Sequence, residues 1–133
     1  MEDQIIETYF DKEEIDKITK KLKNIKYHNL HKSEHFEWSL MNKRTDEDEI
    51  ERTYFKFENI GLINERKLKY GEVGYDLHYV LDNGTFIVIA ICVEKRLLIN
   101  AFHSKKNFKN FKNNLLEKRR INQERQSREF SGL

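Results

Sequence analysis

The sequence has no proline and only one cysteine, Cys92, among its 133 residues. A single cysteine forms neither an internal disulfide nor a thiolate zinc site, and the apolar residues around Cys92 predict a buried thiol in a reducing cytosol. No apolar run approaches the roughly 20 residues that span a bilayer, so we expect a cytoplasmic protein with no membrane partner. Gly-rich phosphate loops, a Gly-x-Ser-x-Gly elbow and Cys-x-x-Cys pairs are missing, which argues against nucleotide-binding and acyl-transfer enzymes.

Charge is abundant but unevenly distributed. Charged residues make up 36% of the chain and the formal net charge is +2, while the 12% aromatic content is enough for a small core. Acidic residues cluster over 2–16 and 46–51, and basic residues cluster over 105–128. The basic segment predicts a binding surface for a polyanion such as RNA, although a solvated helix face would look the same. Its candidate substrate-binding residues are Lys105, Lys106, Lys109 and Lys112.

The hydrophobic period changes near Gly61 from that of helices to that of strands, which predicts an α+β fold. We expect one domain over 1–127 and a frayed tail over 128–133. The predicted helices cover 12–24, 33–43 and 46–58, and a basic helix follows the sheet. Their predicted caps are Asp11, Ser33, Thr45 and Ser104. The predicted antiparallel meander has four strands, at 62–70, 75–81, 86–93 and 97–103, with the first strand at an exposed edge.

The Asn83-Gly84 pair predicts a two-residue type I′ hairpin, because that turn favours Asn-Gly where both residues need positive φ. Such a turn pairs His78 with Ile89. A tight turn between the last two strands pairs Asn100 with Ile89 from the other side. His78 and Asn100 are therefore predicted to share one face of the sheet, with Asp76 and Phe102. The residues predicted for the opposite, core face are Tyr75, Leu77, Tyr79, Val88, Ala90, Ile99 and Ala101.

A histidine beside an amide and near cations supplies the groups that metal-independent RNA cleavage needs. One group takes the 2′-OH proton, another protonates the leaving 5′-oxygen, and cations or amides stabilise the phosphorane. His78 is the predicted general base or acid, with His35 or His103 as its complement. The residues predicted to stabilise phosphate charge are Asn100, Arg66 and Lys67. The alternative is that His78 and Asn100 are ordinary polar residues on a solvated face.

The segment His31-Lys32-Ser33-Glu34-His35 matches the H-x-x-E-H string of inverted zinc peptidases, and His28 lies just upstream. Zinc would need both imidazoles on one continuous helix, whereas Ser33 is predicted to begin a helix between them. We therefore interpret the string as a polar helix entrance, and we expect no metal and no cofactor.

The second and third helices resemble a pattern of the barnase, EndoU, colicin and RelE-like ribonuclease superfamily. His35, Lys43 and Ile50 match the spacing of its histidine, second basic residue and apolar residue, and Ser39 stands where its first arginine would be. The segment from Asn100 to Phe102 is similar to the polar-then-aromatic end of its last strand.

The resemblance covers about 33–103 and implies a RelE-like toxin, from a phage or toxin system, that cleaves RNA without metal. It also implies a cognate antitoxin or immunity protein as partner. The alternative is a non-catalytic small phage or mobile-element protein that binds nucleic acid or inhibits a macromolecular partner. Convergence of His78, Asn100 and a cation in one site would favour the enzyme, and a sheet face filled by a helix would favour the binding module.

Overall fold

The computed structural model describes residues 4–131, with side chains described as far as Arg125. The elements are β1 (Gln4–Tyr9), α1 (Lys12–Lys20), β2 (His31–Lys32), α2 (Glu34–Met41), α3 (Glu47–Tyr54), β3 (Ile60–Lys67), β4 (Val73–Val80), β5 (Phe86–Cys92), β6 (Leu97–Ser104) and α4 (Phe108–Ser131). Short 3-10 turns lie at Tyr27–Asn29 and Phe57–Asn59. The predicted α+β class is confirmed.

The strands form one sheet in the order β1-β3-β4-β5-β6-β2, in which only the β2–β6 pair is parallel. The described part of the chain therefore has six strands, not the predicted four. β3 lies between β1 and β4, so its prediction as an exposed edge strand is wrong. β1 escaped prediction because it is largely exposed and lacks an alternating apolar face.

Local capping explains where the first three helices begin. The Asp11 carboxylate accepts from Glu13 N at 3.1 Å, and Ser33 Oγ accepts from Phe36 N at 3.0 Å, so both predicted caps are confirmed. The third predicted cap is wrong by one residue, because Asp46 accepts from Asp48 N at 3.1 Å. Thr45 Oγ1 instead donates to the Ala101 carbonyl at 3.1 Å and fastens the loop to β6.

The two faces of the sheet are covered differently. α1, α2 and α3 pack on one face and enclose the main core, to which β4 and β5 contribute Leu77, Tyr79, Ile87, Ile89 and Ile91. The opposite face, here called the cavity face, carries a smaller cluster of Leu62, Phe86, Val88 and Phe108. Among the described residues, the first turns of α4 and the side chain of Phe10 pack on this face, and a cavity leaves part of it open.

α4 begins at an unpredicted cap. Asn107 Oδ1 accepts from Asn110 N at 3.1 Å, whereas the predicted cap, Ser104, is the last residue of β6 and accepts from Lys106 N at 3.3 Å. The helix continues through Ser131, and the rest of the predicted tail lies outside the described residues. Phe108 is the buried anchor, and its backbone N donates to Gly84 O at 2.8 Å.

The hairpin between β4 and β5 has a three-residue loop, so the predicted type I′ turn is wrong. Gly84 N donates to Leu81 O at 3.0 Å and Leu81 N donates to Thr85 O at 2.9 Å. Gly84 has φ +87°, whereas Asn83 is not among the described residues with positive φ. This is the type I turn followed by a bulge glycine, and it pairs His78 with Val88, not with Ile89.

The pairing of β5 with β6 also differs by one residue from the prediction. Asn100 lies opposite Ala90, and a bulge follows Ala90. Val88 and Ala90 are consequently on the cavity face, not in the core as predicted. Ile99, also predicted for the core, borders the cavity instead, because Leu98 takes the core position beyond the bulge.

Candidate functional site

The register of four adjacent strands builds the floor of the candidate site. Asn64, Asp76, Ala90 and Asn100 are successive partners across β3, β4, β5 and β6, and therefore form one row on the cavity face. His78 lies in the next row, two residues along β4 from Asp76. Adjacent strands lie about 4.8 Å apart, so roughly 10 Å separates the backbones of Asp76 and Asn100.

A cavity of about 480 Å³ opens above this row. The small side chain of Ala90 leaves space that a larger residue would fill, whereas the Leu68 side chain packs over Gly74. Asn64, Arg66, Asp76, His78, Asn100 and Lys106 contribute the polar and charged part of its lining, with Ser104. Phe102, 44% exposed, and Leu115 are among its apolar walls. The size falls within the range of small-molecule sites.

Arg66 and Asp76 form an ion pair at one end of the cavity. Arg66 Nε donates to Asp76 Oδ2, and the two side chains are 33% and 10% exposed. The pairing leaves the terminal guanidinium nitrogens of Arg66 with no acceptor among the described residues. The cation is therefore held in place while it keeps donors for a ligand.

His78 is only 3% exposed. Its ring lies 5.7 Å from that of Phe86 and 5.5 Å from that of Phe111 in α4, nearly parallel to the latter. Burial lowers its pKa, opposed by the Asp76 charge and by the backbone groups of Asp76 and Leu62 beside the ring. The Asp76 carbonyl lies 3.0 Å from Nδ1, so Nδ1 carries a hydrogen and the neutral ring accepts protons at Nε2.

Asn100 presents a donor to the cavity. Its Oδ1 accepts from Ala101 N at 2.9 Å, and because a backbone N–H can only donate, this contact fixes the orientation of the amide. The Nδ2 group has no acceptor within the described part of the chain.

The other predicted catalytic residues lie away from the cavity. His103 pairs with Ile87 on the helical side of the sheet, where its Nε2 lies 2.8 Å from Thr85 Oγ1 and its Nδ1 lies 3.4 Å from Glu49. Because side chains alternate along a strand, His103 faces away from Asn100 and Phe102 and therefore from the cavity. His35 is exposed on α2, with its ring 6.5 Å from that of Trp38.

The predicted substrate-binding lysines are scattered. Lys106 borders the cavity, and Lys105 and Lys109 are exposed near the start of α4. Lys112 is half-buried, with Nζ 5.7 Å from the ring centre of Phe10. Lys67 is exposed at the end of β3 and, one residue after Arg66, points to the other side of the sheet.

Sequence reasoning missed two parts of the site. It located Asp76 on the correct face but gave it no partner, although Arg66 and Asp76 are diagonal neighbours on paired strands. It assigned Phe111 to packing alone. No sequence signal indicates that Phe111 covers His78, because that contact depends on how α4 crosses the sheet.

Metal and membrane features receive no support in the described part of the chain. No group of three or more His, Cys, Asp or Glu side chains there could hold a metal ion. His31 lies in β2 and His35 in α2, while His28 Nε2 pairs with Glu51 at 2.9 Å. No helix among the described residues is long and apolar enough to cross a membrane. Comparison with protein-family models, curated proteins and solved structures yields no match.

Proposed function

We propose that this protein is a metal-independent endoribonuclease of the RelE-like toxin type, which cleaves RNA in the cavity. The observation that carries the proposal is that one cavity is lined by His78, Asn100 and the cation Arg66, which come from three different strands. Residues so far apart in sequence, with one neutral imidazole and several free donors, suit proton transfer beside a phosphate.

The proposed reaction is attack of the RNA 2′-oxygen on the adjacent phosphorus. His78 Nε2 takes the 2′-OH proton, the new P–O2′ bond closes a cyclic phosphate, and the P–O5′ bond breaks. Arg66, Asn100 and Lys106 stabilise the negative charge of the phosphorane. Because His35 and His103 lie elsewhere, a water molecule protonates the leaving 5′-oxygen.

The lysines of α4 serve as the approach for RNA in this proposal, and the compartment is the reducing cytosol, where the buried Cys92 stays a free thiol. A cognate antitoxin or immunity protein is the proposed partner that restrains the activity.

A second candidate function is favoured by one specific observation. Phe111 of α4 stacks on His78, whose ring is almost inaccessible, so part of the cavity face is filled by a helix. A non-catalytic module that binds RNA or inhibits a macromolecular partner needs no accessible histidine. Cleavage requires Phe111 to leave His78, whereas binding at Arg66 and Asn100 does not.

The test is cleavage of an end-labelled RNA by the purified protein in EDTA. His78→Ala should lower the rate by about 100- to 10,000-fold, because it removes the proton-transfer group. His28→Ala, at an exposed histidine outside the cavity, is the matched control, and circular dichroism checks that both variants fold. Asn100→Ala, which removes no buried ring, gives an independent variant.

Wild-type rates in both cavity variants would contradict the assigned roles. A strict requirement for a divalent metal would refute the metal-independent mechanism. If the wild-type protein binds RNA without cleaving it, the second candidate is correct.

A further inference from the structure

The hydrogen bonds around the cavity leave it rich in donors. Asn100 Oδ1 is occupied by Ala101 N, Asn64 Oδ1 accepts from Thr8 Oγ1 at 2.7 Å, and Asp76 Oδ2 accepts from Arg66. The side-chain acceptors that remain are the second carboxylate oxygen of Asp76 and Nε2 of His78, and the Asp76 charge is offset by Arg66 and Lys106. The groups that remain for a ligand are mostly donors, namely the Arg66 guanidinium, the amide nitrogens and the Lys106 ammonium.

Such a set favours an anion, because a neutral ligand would supply too few acceptors for these donors. Arg66 adds a planar fork that suits phosphate oxygens, and its attachment to Asp76 reduces the side-chain entropy that a ligand must remove. Asn100 lies three strands from Arg66 and two strands from Asp76, which the Arg66 side chain reaches, so Ala90 of β5 lies between Asp76 and Asn100. A phosphate above Ala90 would lie between the donors of Arg66 and Asn100.

The apolar part of the cavity points to the rest of the ligand. Phe102 is 44% exposed at the mouth of the cavity. It lies two residues after Asn100 on β6 and on the same face of the sheet. Exposed aromatic rings beside cations on a sheet face stack unpaired nucleobases. A cavity of about 480 Å³ has room for one nucleotide but not for a base-paired helix.

We infer that the cavity is a binding site for a single nucleotide unit, with its phosphate between Arg66 and Asn100 and its base on Phe102. This inference rests on the proposed function for its biological source, since the unit would belong to a single-stranded RNA. A free nucleoside monophosphate has the same chemistry, so the experiment must separate the two sources.

The experiment is an NMR titration of the ¹⁵N-labelled full chain with adenosine 5′-monophosphate, adenosine and inorganic phosphate. The monophosphate should shift the amide signals of Ala90, Asn100 and Phe102, and it should bind at least about tenfold more tightly than adenosine, because adenosine lacks the phosphate contacts. Phe102→Ala should weaken binding of the monophosphate by about five- to hundredfold, because the stacking of its base is lost. Phe55→Ala, at a comparably exposed ring at the end of α3, should have no effect.

One lysine and one arginine variant test the phosphate contacts. Lys106→Gln, at an exposed residue, should weaken binding of the monophosphate and leave binding of adenosine unchanged. Arg66→Gln should have the same effect more strongly, and its NMR spectrum verifies that it folds. Equal binding of adenosine and the monophosphate, or loss of binding in Phe55→Ala but not in Phe102→Ala, would overturn the inference.

A single-stranded oligoadenylate identifies the source. Competition between the oligomer and the monophosphate for the same signals supports an RNA unit, and binding of the monophosphate alone overturns that source. If RNA is cleaved but the monophosphate does not bind in the cavity, the nucleotide site is wrong and the proposed function stands. If the monophosphate binds as described but RNA is not cleaved, the site stands and the proposed nuclease falls.

Discussion

Replacing Gly84 by valine should destabilise the protein strongly, because this glycine ends the β4–β5 loop at φ +87°. A side chain in that region of φ is strained, and a β-branched one more so. The new Cβ would also lie 3.3 Å from Asn107 Nδ2, at the residue that caps α4. The same glycine accepts the Phe108 N–H, so the turn also anchors the start of α4.

The chain contains a matched glycine that separates these contributions. Gly71 has φ +90°, and a Cβ added there would meet no atom within 4 Å. Gly71→Val therefore measures backbone strain alone, which we expect to cost about 1–3 kcal/mol. Gly84→Val should cost about 1 kcal/mol more, which is an order-of-magnitude allowance for the Asn107 contact and the disturbed α4 anchor. Asparagine tolerates positive φ, so Gly84→Asn should lose less than half as much as Gly84→Val.

Thermal and urea denaturation of the three variants would measure these differences. At this chain length each kcal/mol corresponds to roughly 3–6 °C in Tm, so Gly84→Val, at about 2–4 kcal/mol, should melt about 6–24 °C below the wild type. Unchanged stability in Gly84→Val would refute the three-residue turn. If Gly84→Asn were as unstable as Gly84→Val, crowding at Asn107 and not φ would be the cause.

Three further predictions concern α4 and His78. Phe111→Ala should expose the His78 ring and increase its acylation by diethylpyrocarbonate, measured by peptide mass spectrometry. The variant should lose about 2 kcal/mol of stability, because it removes a half-buried ring. An unreactive His78 would show that Phe111 does not cover it. Because burial lowers the pKa of His78 below its unfolded value near 6.5, its contribution to stability is present above that pH and is lost as the pH falls below it. In His78→Phe, Tm should therefore fall less steeply between about pH 7 and 5 than in the wild type. An unchanged fall would show that other titrating groups cause it. Replacing the exposed Lys105 and Lys109 by Gln should reduce the slope of log K for RNA against log salt by roughly 1.4, at about 0.7 per phosphate contact. An unaltered slope would show that these lysines are only a solvated face.

The parts of the fold that were predictable are those fixed by local chemistry. The Asp11 and Ser33 caps depend on a side chain and an amide two or three residues away, and both formed as expected. β1 was not predictable in this way, because its pairing with β3 joins residues some sixty positions apart and its exposed side chains carry no periodic signal. The location of β3 inside the sheet was missed for the same reason.

His78 and Asn100 share a face of the sheet as predicted despite two errors in register, although they lie in adjacent rows and not both opposite Ile89. The geometry of a sheet explains why. A slip of one residue turns every side chain of a strand to the opposite face. The β4–β5 turn is one residue longer than predicted, which moved Val88 and Ala90 from the core to the cavity face. The β5–β6 pairing is shifted by one as well, so β6 regained its predicted orientation relative to β4. The side chains of β5 thus lie on the opposite faces from those predicted, while those of β4 and β6 lie on the predicted faces. This difference brings the small side chain of Ala90 between Asp76 and Asn100. Had Ile89 lain opposite Asn100, as the predicted register required, its side chain would fill the space in which we propose that the phosphate binds.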